Sequence, residues 1–380
     1  MAGLLTRIRE QPREVLDAIA KSMDVRASEP AMQAICARYM AQITLPEGAR
    51  VLEVGCGNGA ATKLIMQHVS PAQLVGIDPS PVFIDMAGAT LAGEPRVSFA
   101  IGDAVATGQA DAFFDLVIAH TVYSHLANPE GALTEASRVL RPGGQLVIFD
   151  GDFATLTVAL FDGDPLQTVA GAVLRNLVHA PYIMRRLPAL VTASGFSVQS
   201  VEPHGYVQTT CPNYLLTLLS RGTKAAVQAG EIGQELVDSF DQEARRRVAN
   251  ATFYGAILFL SLTARKPTND CGSVAGEGDC AVELEMSGRS DREDSPCRTV
   301  ASKSGTSTCR NSSASRFRPL QLPLSATFLP GSSEFNEPCP QERRMVEREL
   351  LRRAASSGSR ARKGFSRLRR RTTATAASAA

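Results

Sequence analysis

The sequence predicts an α/β chain whose sheet is mostly parallel and covered by helices on both faces. Three observations carry this. Short, nearly continuous apolar runs alternate with segments of helical period, as strands buried on both faces do. The first run leads directly into a glycine-rich turn and then a helix, through Glu53-Val-Gly55-Cys-Gly57-Asn-Gly59. The alternation ends at Lys266-Pro267, beyond which the composition changes.

The elements follow in order. Residues 1–45 read as an N-terminal helical segment. ARVLEV (49–54) is the first strand and Ala60–Val69 the first helix after the glycines. AQLVGID (72–78) and RVSFAIGD (96–103) are strands on either side of a helix over Pro81–Leu91. FFDLVIAH (113–120) is a fourth strand. The helix Pro129–Leu140 follows, with apolar positions at Ala132, Leu133, Ala136, Val139 and Leu140. Arg141-Pro-Gly-Gly144 stops that helix, and QLVIFD (145–150) is the fifth strand. Residues 151–194 then read as mostly helical, 195–203 as a strand and 212–250 as helical. FYGAILFLSLTARK (253–266) is a last strand whose two-sided hydrophobicity suits the interior of a sheet.

The 380-residue chain is 44% apolar and 21% charged, which permits a sizeable core. No uninterrupted apolar stretch reaches the roughly 18–20 residues of a membrane span. The start, MAGLLTRIREQPREV, has no apolar h-region or cleavage site, so a cytoplasmic location is expected. The net charge of +2 averages two unlike pieces. Up to Asp270 there are 21 Lys+Arg and 26 Asp+Glu, a balance of −5; the remainder holds 19 and 12, a balance of +7. The mild acidity of the first piece disfavours a nucleic-acid partner.

Residues 268–380 are rich in Ser, Arg, Gly and Pro, and show no sustained period apart from a short charged stretch at 341–354. Such a composition buries too little apolar surface to offset the entropy of ordering, so a disordered tail is expected. Five of the eight cysteines fall there without a C-x2-C pair or a histidine, which argues against structural zinc. The basic run Arg367–Arg371 reads as a solvated end, with nucleic acid or an acidic membrane surface as the alternatives. The domain itself is expected over 46–267.

Glycines after the first strand let the backbone turn tightly and approach a ligand, and the following helix presents free N–H groups. Alone, the turn also satisfies the dinucleotide form G-x-G-x-x-[GA], with Ala60 last. Three further features narrow it. Asp78 closes the second strand, Gly102-Asp103-Ala104 closes the third, and FFDLVIAH is followed by LTEASRVLRPGGQLVIFD. In this combination the sequence resembles the class I S-adenosylmethionine-dependent methyltransferases of the broad small-molecule group, strongly over 30–150 and loosely over 151–266. The resemblance implies a Rossmann-like, doubly wound seven-stranded sheet with an antiparallel last strand. Helical insertions at about 151–194 and 205–250 would form a substrate lid.

The resemblance also implies roles. Glu53, Gly55, Gly57 and Gly59 would cradle the methionine part of S-adenosylmethionine. Asp78 with Pro79 would hold the ribose, Asp103 with Ala104 would face the adenine, and His120 would line the cleft beside the methionine. Each acid has a structural alternative: Glu53 as a strand-end acid satisfied by backbone, Asp78 as a turn or helix cap, Asp103 as a loop acid. Cys56 and Asn58 occupy variable positions of the motif.

Methyl transfer from a sulfonium is a direct displacement, so a base is needed only for a protonated acceptor. Candidates are His120, His125, Asp150, Asp152 and His204. His120 is the best placed as a catalytic residue, His125 reads as a packed structural histidine, and His179 carries no role. His120 and His125 are wrongly spaced for a two-histidine metal site on one helix face, and no metal is expected. The segment Ala119-His-Thr-Val-Tyr123 lacks the [DN]-P-P-[YFW] of amine-directed enzymes. That leaves oxygen or carbon of a small, largely apolar acceptor, in a setting such as secondary metabolism. Phe153, Phe161, Tyr182, Met184, Tyr206 and Tyr214 are candidates to roof its pocket. The competing functions are a nicotinamide-dependent oxidoreductase, against which the acid before the glycines, GDA and LRPGG all speak, and a non-catalytic module that binds S-adenosylmethionine.

Overall fold

Four apolar runs build the first half of the sheet: β1 (Arg50–Val54), β2 (Gln73–Asp78), β3 (Val97–Ile101) and β4 (Phe114–His120). This is a computed structural model, and it describes residues 8–210 and 212–268. The tail expected over 268–380 therefore lies, but for Thr268, outside the described residues. β1 pairs in parallel with β2 on one side and β4 on the other, with Glu53 opposite Gly76 and Ile118. β3 pairs in parallel with the outer side of β2, Asp78 opposite Ile101. All seven residues of β4 are buried, as expected for a strand covered on both faces. The strand order is β3-β2-β1-β4-β5-β7-β6, so the chain reverses its direction of travel between β1 and β4. Ligands of open α/β sheets bind at that point, beyond the carboxyl ends of the strands.

The second half is antiparallel. β5 (Leu140–Thr157) pairs with β4 in parallel and with β7 (Gly255–Arg265) antiparallel; β7 pairs antiparallel with β6 (Ser197–Gln208) as well. The last strand thus lies inside the sheet, where its two-sided hydrophobicity is satisfied. Two sequence expectations are corrected here. Residues 151–157 are strand rather than helix, because β7 is long enough to pair with Gly151, Asp152 and Thr157. β6 likewise runs on to Gln208, against Gly255, so the second insertion begins only after it. The LRPGG segment sits where the β4–β5 register shifts, between Phe114↔Leu140 and Leu116↔Gln145.

Helices cover both faces. α5 (Pro129–Val139) starts with Pro129 in its first turn and with Asn128 Oδ1 accepting from Gly131 N at 2.9 Å. Such a cap is worth about 1 kcal/mol. Its buried face, Ala132, Leu133, Ala136 and Val139, has the predicted spacing and packs with Ile148 and Leu262. α7 (Ile183–Ala193) covers the same face through Met184 and Leu187. On the opposite face, α2 (Pro30–Met40) sets Met32, Cys36 and Tyr39 into a core with Phe149, Phe259 and Tyr206. α1 (Arg13–Ser28) precedes it, α3 (Ala60–His68) follows the glycine turn, and α4 (Pro81–Thr90) follows β2.

α6 (Pro165–Leu177), α8 (Asn213–Gln228) and α9 (Gln234–Ala249) pack on one another, and α8 also meets α1. A buried ion pair joins them: Arg247 of α9 donates to Asp164 Oδ2 at 2.7 Å and to Oδ1 at 2.9 Å. Asp164 also caps α6 by accepting from Leu166 N at 3.0 Å. Leu215, Leu219 and Phe240 of α8 and α9 belong to the main core. These helices pack into the main core of the domain.

Candidate functional site

After Val54 the backbone turns through Gly55, Gly57 and Gly59 at φ of 70°, 53° and 83°. These are left-handed conformations in which a side chain costs about 1–2 kcal/mol. The space is also taken: a Cβ on Gly55 would lie 2.5 Å from Val122 Cγ2, and one on Gly57 2.8 Å from Met23 Sδ. Gly55 N and Cys56 N both donate to Ile77 O, at 2.8 and 3.0 Å, which ties the turn to β2. Asn58, left without a role by the sequence, donates to Ala20 O at 3.2 Å and Asp24 Oδ1 at 2.8 Å. It thereby holds α1 across the turn.

Glu53 lies beneath this turn, fully buried. Its Oε2 accepts from Thr62 Oγ1 at 2.6 Å, while Oε1 has no hydrogen-bond partner. Burial lifts its carboxyl to about 8, against the Thr62 hydrogen bond and with help from the charge of Asp78. Asp78 accepts from Gly57 N at 3.0 Å and Ser80 N at 2.9 Å. Burial raises it to about 6, against those two bonds and the nearby Arg9. It is not the cap of α4; that is Ser80, whose Oγ accepts from Phe83 N at 3.4 Å. Pro79 O accepts from Arg9 Nε at 3.1 Å. Asp103 sits half-buried beyond β3 and accepts from Val105 N at 3.1 Å, a loop role, while Ala104 is buried against Leu52 and Ala119.

His120 ends β4 and is buried. It shares a 2.9 Å hydrogen bond through Nδ1 with Tyr39 Oη and stacks on Phe149 at 4.7 Å. Burial, together with the charge of Arg26, holds its imidazole well below the ordinary range, so it is neutral at pH 7 and a weak proton acceptor. The other candidate bases are engaged elsewhere. Asp150 accepts from Ser124 N, Ser124 Oγ and Gly151 N at 2.9, 3.0 and 2.8 Å. Asp152 pairs with Arg185 at 2.7 Å. His204 bonds Ser261 Oγ at 2.9 Å in the sheet core. Among the described residues no group of three or more His, Cys, Asp or Glu is placed to hold a metal ion, and no helix is long and apolar enough to cross a membrane.

Two cavities meet at this edge. One is lined by Gly55, Gly57, Asn58 and His120 together with Met23 and Arg26 of α1 and Thr121. The other lies beyond Thr121 and is lined by Ile19, His125, Phe153, Leu177, Leu218 and Arg221, again with Met23, Arg26 and Thr121. The shared Thr121 has φ 58°, unusual for a β-branched residue, and its N–H donates to Phe149 O at 2.6 Å. Of the aromatic and methionine residues expected to roof a pocket, Phe153 and Tyr214 line this second cavity. Met184 and Tyr206 are core residues, and Phe161 and Tyr182 are exposed. His125 is half-buried and lines the cavity, and desolvation depresses it to about 3, with Arg221 and Arg26 adding.

The sequence reading therefore found Gly55, Gly57 and His120 on the first cavity and placed Glu53 and Asp78 directly behind it. It missed Met23, Arg26, Tyr39, Thr121 and Arg221. The signal on α1 was present: Ile19, Ser22, Met23 and Arg26 recur at helical spacing and form one face.

Residues 52–148 match the methyltransferase domain family. An uncharacterized 37.1 kDa protein in transposon TN4556 of Streptomyces fradiae is 32% identical over 238 residues, covering 60% of this chain and 66% of that protein. The trans-aconitate 2-methyltransferase of Methylobacterium radiotolerans is 33% identical over 112 residues, 30% of this chain and 42% of that enzyme. The chain thus spans less than two thirds of the length of either relative. The YcgJ protein of Bacillus subtilis, a solved structure, is similar at 15% identity and a TM-score of 0.45, over 62% of this chain and 99% of that one. Residues 52–148, which hold the glycine turn and the strand-end acids, thus form a methyltransferase domain of the class I S-adenosylmethionine-dependent kind.

Proposed function

We propose that the chain transfers the methyl group of S-adenosylmethionine to an oxygen or carbon of a small molecule seated in the cavity between α1, α6 and α8. The observation that carries this reading is the common wall of the two cavities. Because Met23, Arg26 and Thr121 line both, a donor against the glycine turn and an acceptor beyond Thr121 would face one another. The residues fit the donor. A buried carboxylate oxygen on Glu53 lacks a partner, and the glycines leave a cradle that any Cβ would fill. Glu53, Gly55, Gly57 and Gly59 would hold the methionine end, Asp78 and Pro79 the ribose, Asp103 and Ala104 the adenine.

When bound, S-adenosylmethionine supplies a methyl group already activated by its sulfonium charge. The chain's own contribution is alignment and exclusion of water. Proximity and orientation account for roughly 7–11 kcal/mol in well-positioned reactions. His120, neutral and bonded to Tyr39, acts as a wall of the donor site rather than a proton acceptor. Ile19, Leu177, Val178 and Leu218 give the acceptor cavity an apolar body. The named relatives are consistent with small acceptors, trans-aconitate for one and 2-methyl-6-phytyl-1,4-hydroquinone for a Synechocystis enzyme. A cytoplasmic enzyme of secondary metabolism is the setting this reading expects.

Calorimetric titration with S-adenosylhomocysteine and with NAD tests the donor assignment. We expect the first to bind and the second not to; NAD binding without S-adenosylhomocysteine would overturn it. Turnover of methyl-labelled S-adenosylmethionine over phenols, quinols and carboxylic acids then separates an enzyme from a binding module.

A further inference from the structure

Two arginines of the helical wall are treated in opposite ways: Arg247 is buried, and Arg221 is half-buried with its Nε sealed from solvent. Arg247 is matched by Asp164 and Glu243, with three hydrogen bonds of 2.7–2.9 Å. Arg221 of α8 has no ion-pair partner among the described residues, and its Nε is sealed from solvent without a hydrogen bond. An Nε so placed loses its hydration and gains no hydrogen bond in return. A second cation lines the same cavity: Arg26 of α1, which has no ion pair among the described residues and whose guanidinium lies 6.0 Å from the Tyr214 ring. Burial, partly offset by Tyr214 and reinforced by Arg26, pulls Arg221 down to about 10, still cationic at pH 7. The remaining titratable groups at this cavity are the neutral His125 and, behind it, His179. Among the described residues no carboxylate lines it.

We propose that the acceptor carries an oxyanionic group, a carboxylate or a phosphate, held by Arg221 from α8 with Arg26 from α1, while its apolar body lies against Ile19, Leu177 and Leu218. This rests on reading the cavity as the acceptor side. A planar guanidinium suits such a group because it offers two parallel N–H donors. The oxyanion supplies the counter-charge that the fold withholds from Arg221, so a group that costs stability in the free protein becomes a specificity determinant when the acceptor binds. Arg26 touches both cavities and is shared; Arg221 lines the acceptor cavity and not the donor one. It is therefore the clean position to change.

The test uses the full chain and three matched probes: phenylacetate, phenyl phosphate and the neutral phenylacetamide. Each is titrated calorimetrically with and without S-adenosylhomocysteine, into the wild type and into Arg221→Gln, Arg221→Lys and Arg221→Met. At least one oxyanion should bind about tenfold or more tighter than the amide, a gap of about 1.4 kcal/mol. Which oxyanion binds identifies carboxylate or phosphate. Arg221→Gln should erase the gap, Arg221→Lys should keep part of it, and S-adenosylhomocysteine affinity should be unchanged in all. Equal binding of amide and oxyanions, a gap that survives Arg221→Gln, or no oxyanion binding at millimolar concentration would overturn the proposal. Arg221→Met should melt at or above the wild-type temperature, and a marked fall would instead make Arg221 structural. Failure of the wild type to bind S-adenosylhomocysteine would sink the methyltransfer reading alone, since the oxyanion preference is also measured without it.

Discussion

The two walls of the cleft carry incompletely satisfied groups of opposite sign. On the donor wall, formed by the glycine turn and the ends of β1 and β2, the incompletely satisfied group is an acid, Glu53. On the helical wall of α1, α6 and α8 it is a base, Arg221. The walls are also held differently. The donor wall is fixed by backbone: Gly55 N and Cys56 N on Ile77 O, and Gly57 N on Asp78. The helical wall is fixed by side chains far apart in sequence, above all Arg247 on Asp164. The difference teaches that one wall is specified by a short motif and the other only by the finished fold.

The largest effect should come from breaking the helical wall. Asp164→Ala leaves Arg247 buried without its main partner and strips the cap of α6, which should cost about 3–5 kcal/mol. Urea unfolding followed by helical signal measures it. If the loss is below about 1 kcal/mol, comparable to an exposed pair, the helical wall is not held as described.

Next comes the turn. Gly55→Ala puts a side chain at φ 70° and a carbon 2.5 Å from Val122. Left-handed strain and overpacking together should cost about 2–4 kcal/mol, and S-adenosylhomocysteine binding should be lost. A variant that binds normally would show that the backbone of this wall is not the donor cradle. Asp78→Ala should be milder, weakening S-adenosylhomocysteine by about 1–3 kcal/mol through lost charge-assisted bonds. An unchanged affinity in a folded variant would remove Asp78 from the ribose assignment.

The same contrast explains what could be read from the sequence. β1, the glycine turn and Asp78 are legible because the residues that act together are close in sequence and belong to types with few other reasons to occur there. The parallel strands announce themselves by continuous apolar runs. The extension of β5 to Thr157 does not, because Gly151–Thr157 owes its extended form to pairing with β7 about a hundred residues later. Arg221 lies within 212–250, a stretch that reads only as helical. Only the packing of α8 against α1 seals its Nε, and no local pattern encodes the absence of a partner. Tyr39 was equally hidden, since its hydrogen bond is to His120 on a distant strand.

The last expected effect is the most specific to the donor wall. Glu53 titrates at about 8 in the folded protein, against an ordinary 4.5, so the fold favours its protonated form. The stability this gives is fully present below about pH 4.5 and is lost as pH rises through about 8. Asp78 adds a loss of its own, but that ends near its raised value of about 6. A decline in unfolding free energy between pH 6 and 8 therefore reports Glu53, and Glu53→Gln should flatten it. Ligand binding turns the argument round. A donor that offers a cationic or hydroxyl group to Glu53 Oε1 favours the carboxylate, so binding at pH 7 should release a proton. Calorimetry of S-adenosylhomocysteine in two buffers of different ionisation enthalpy measures that release. It should vanish in Glu53→Gln, whereas Arg221→Gln, on the other wall, should leave it intact.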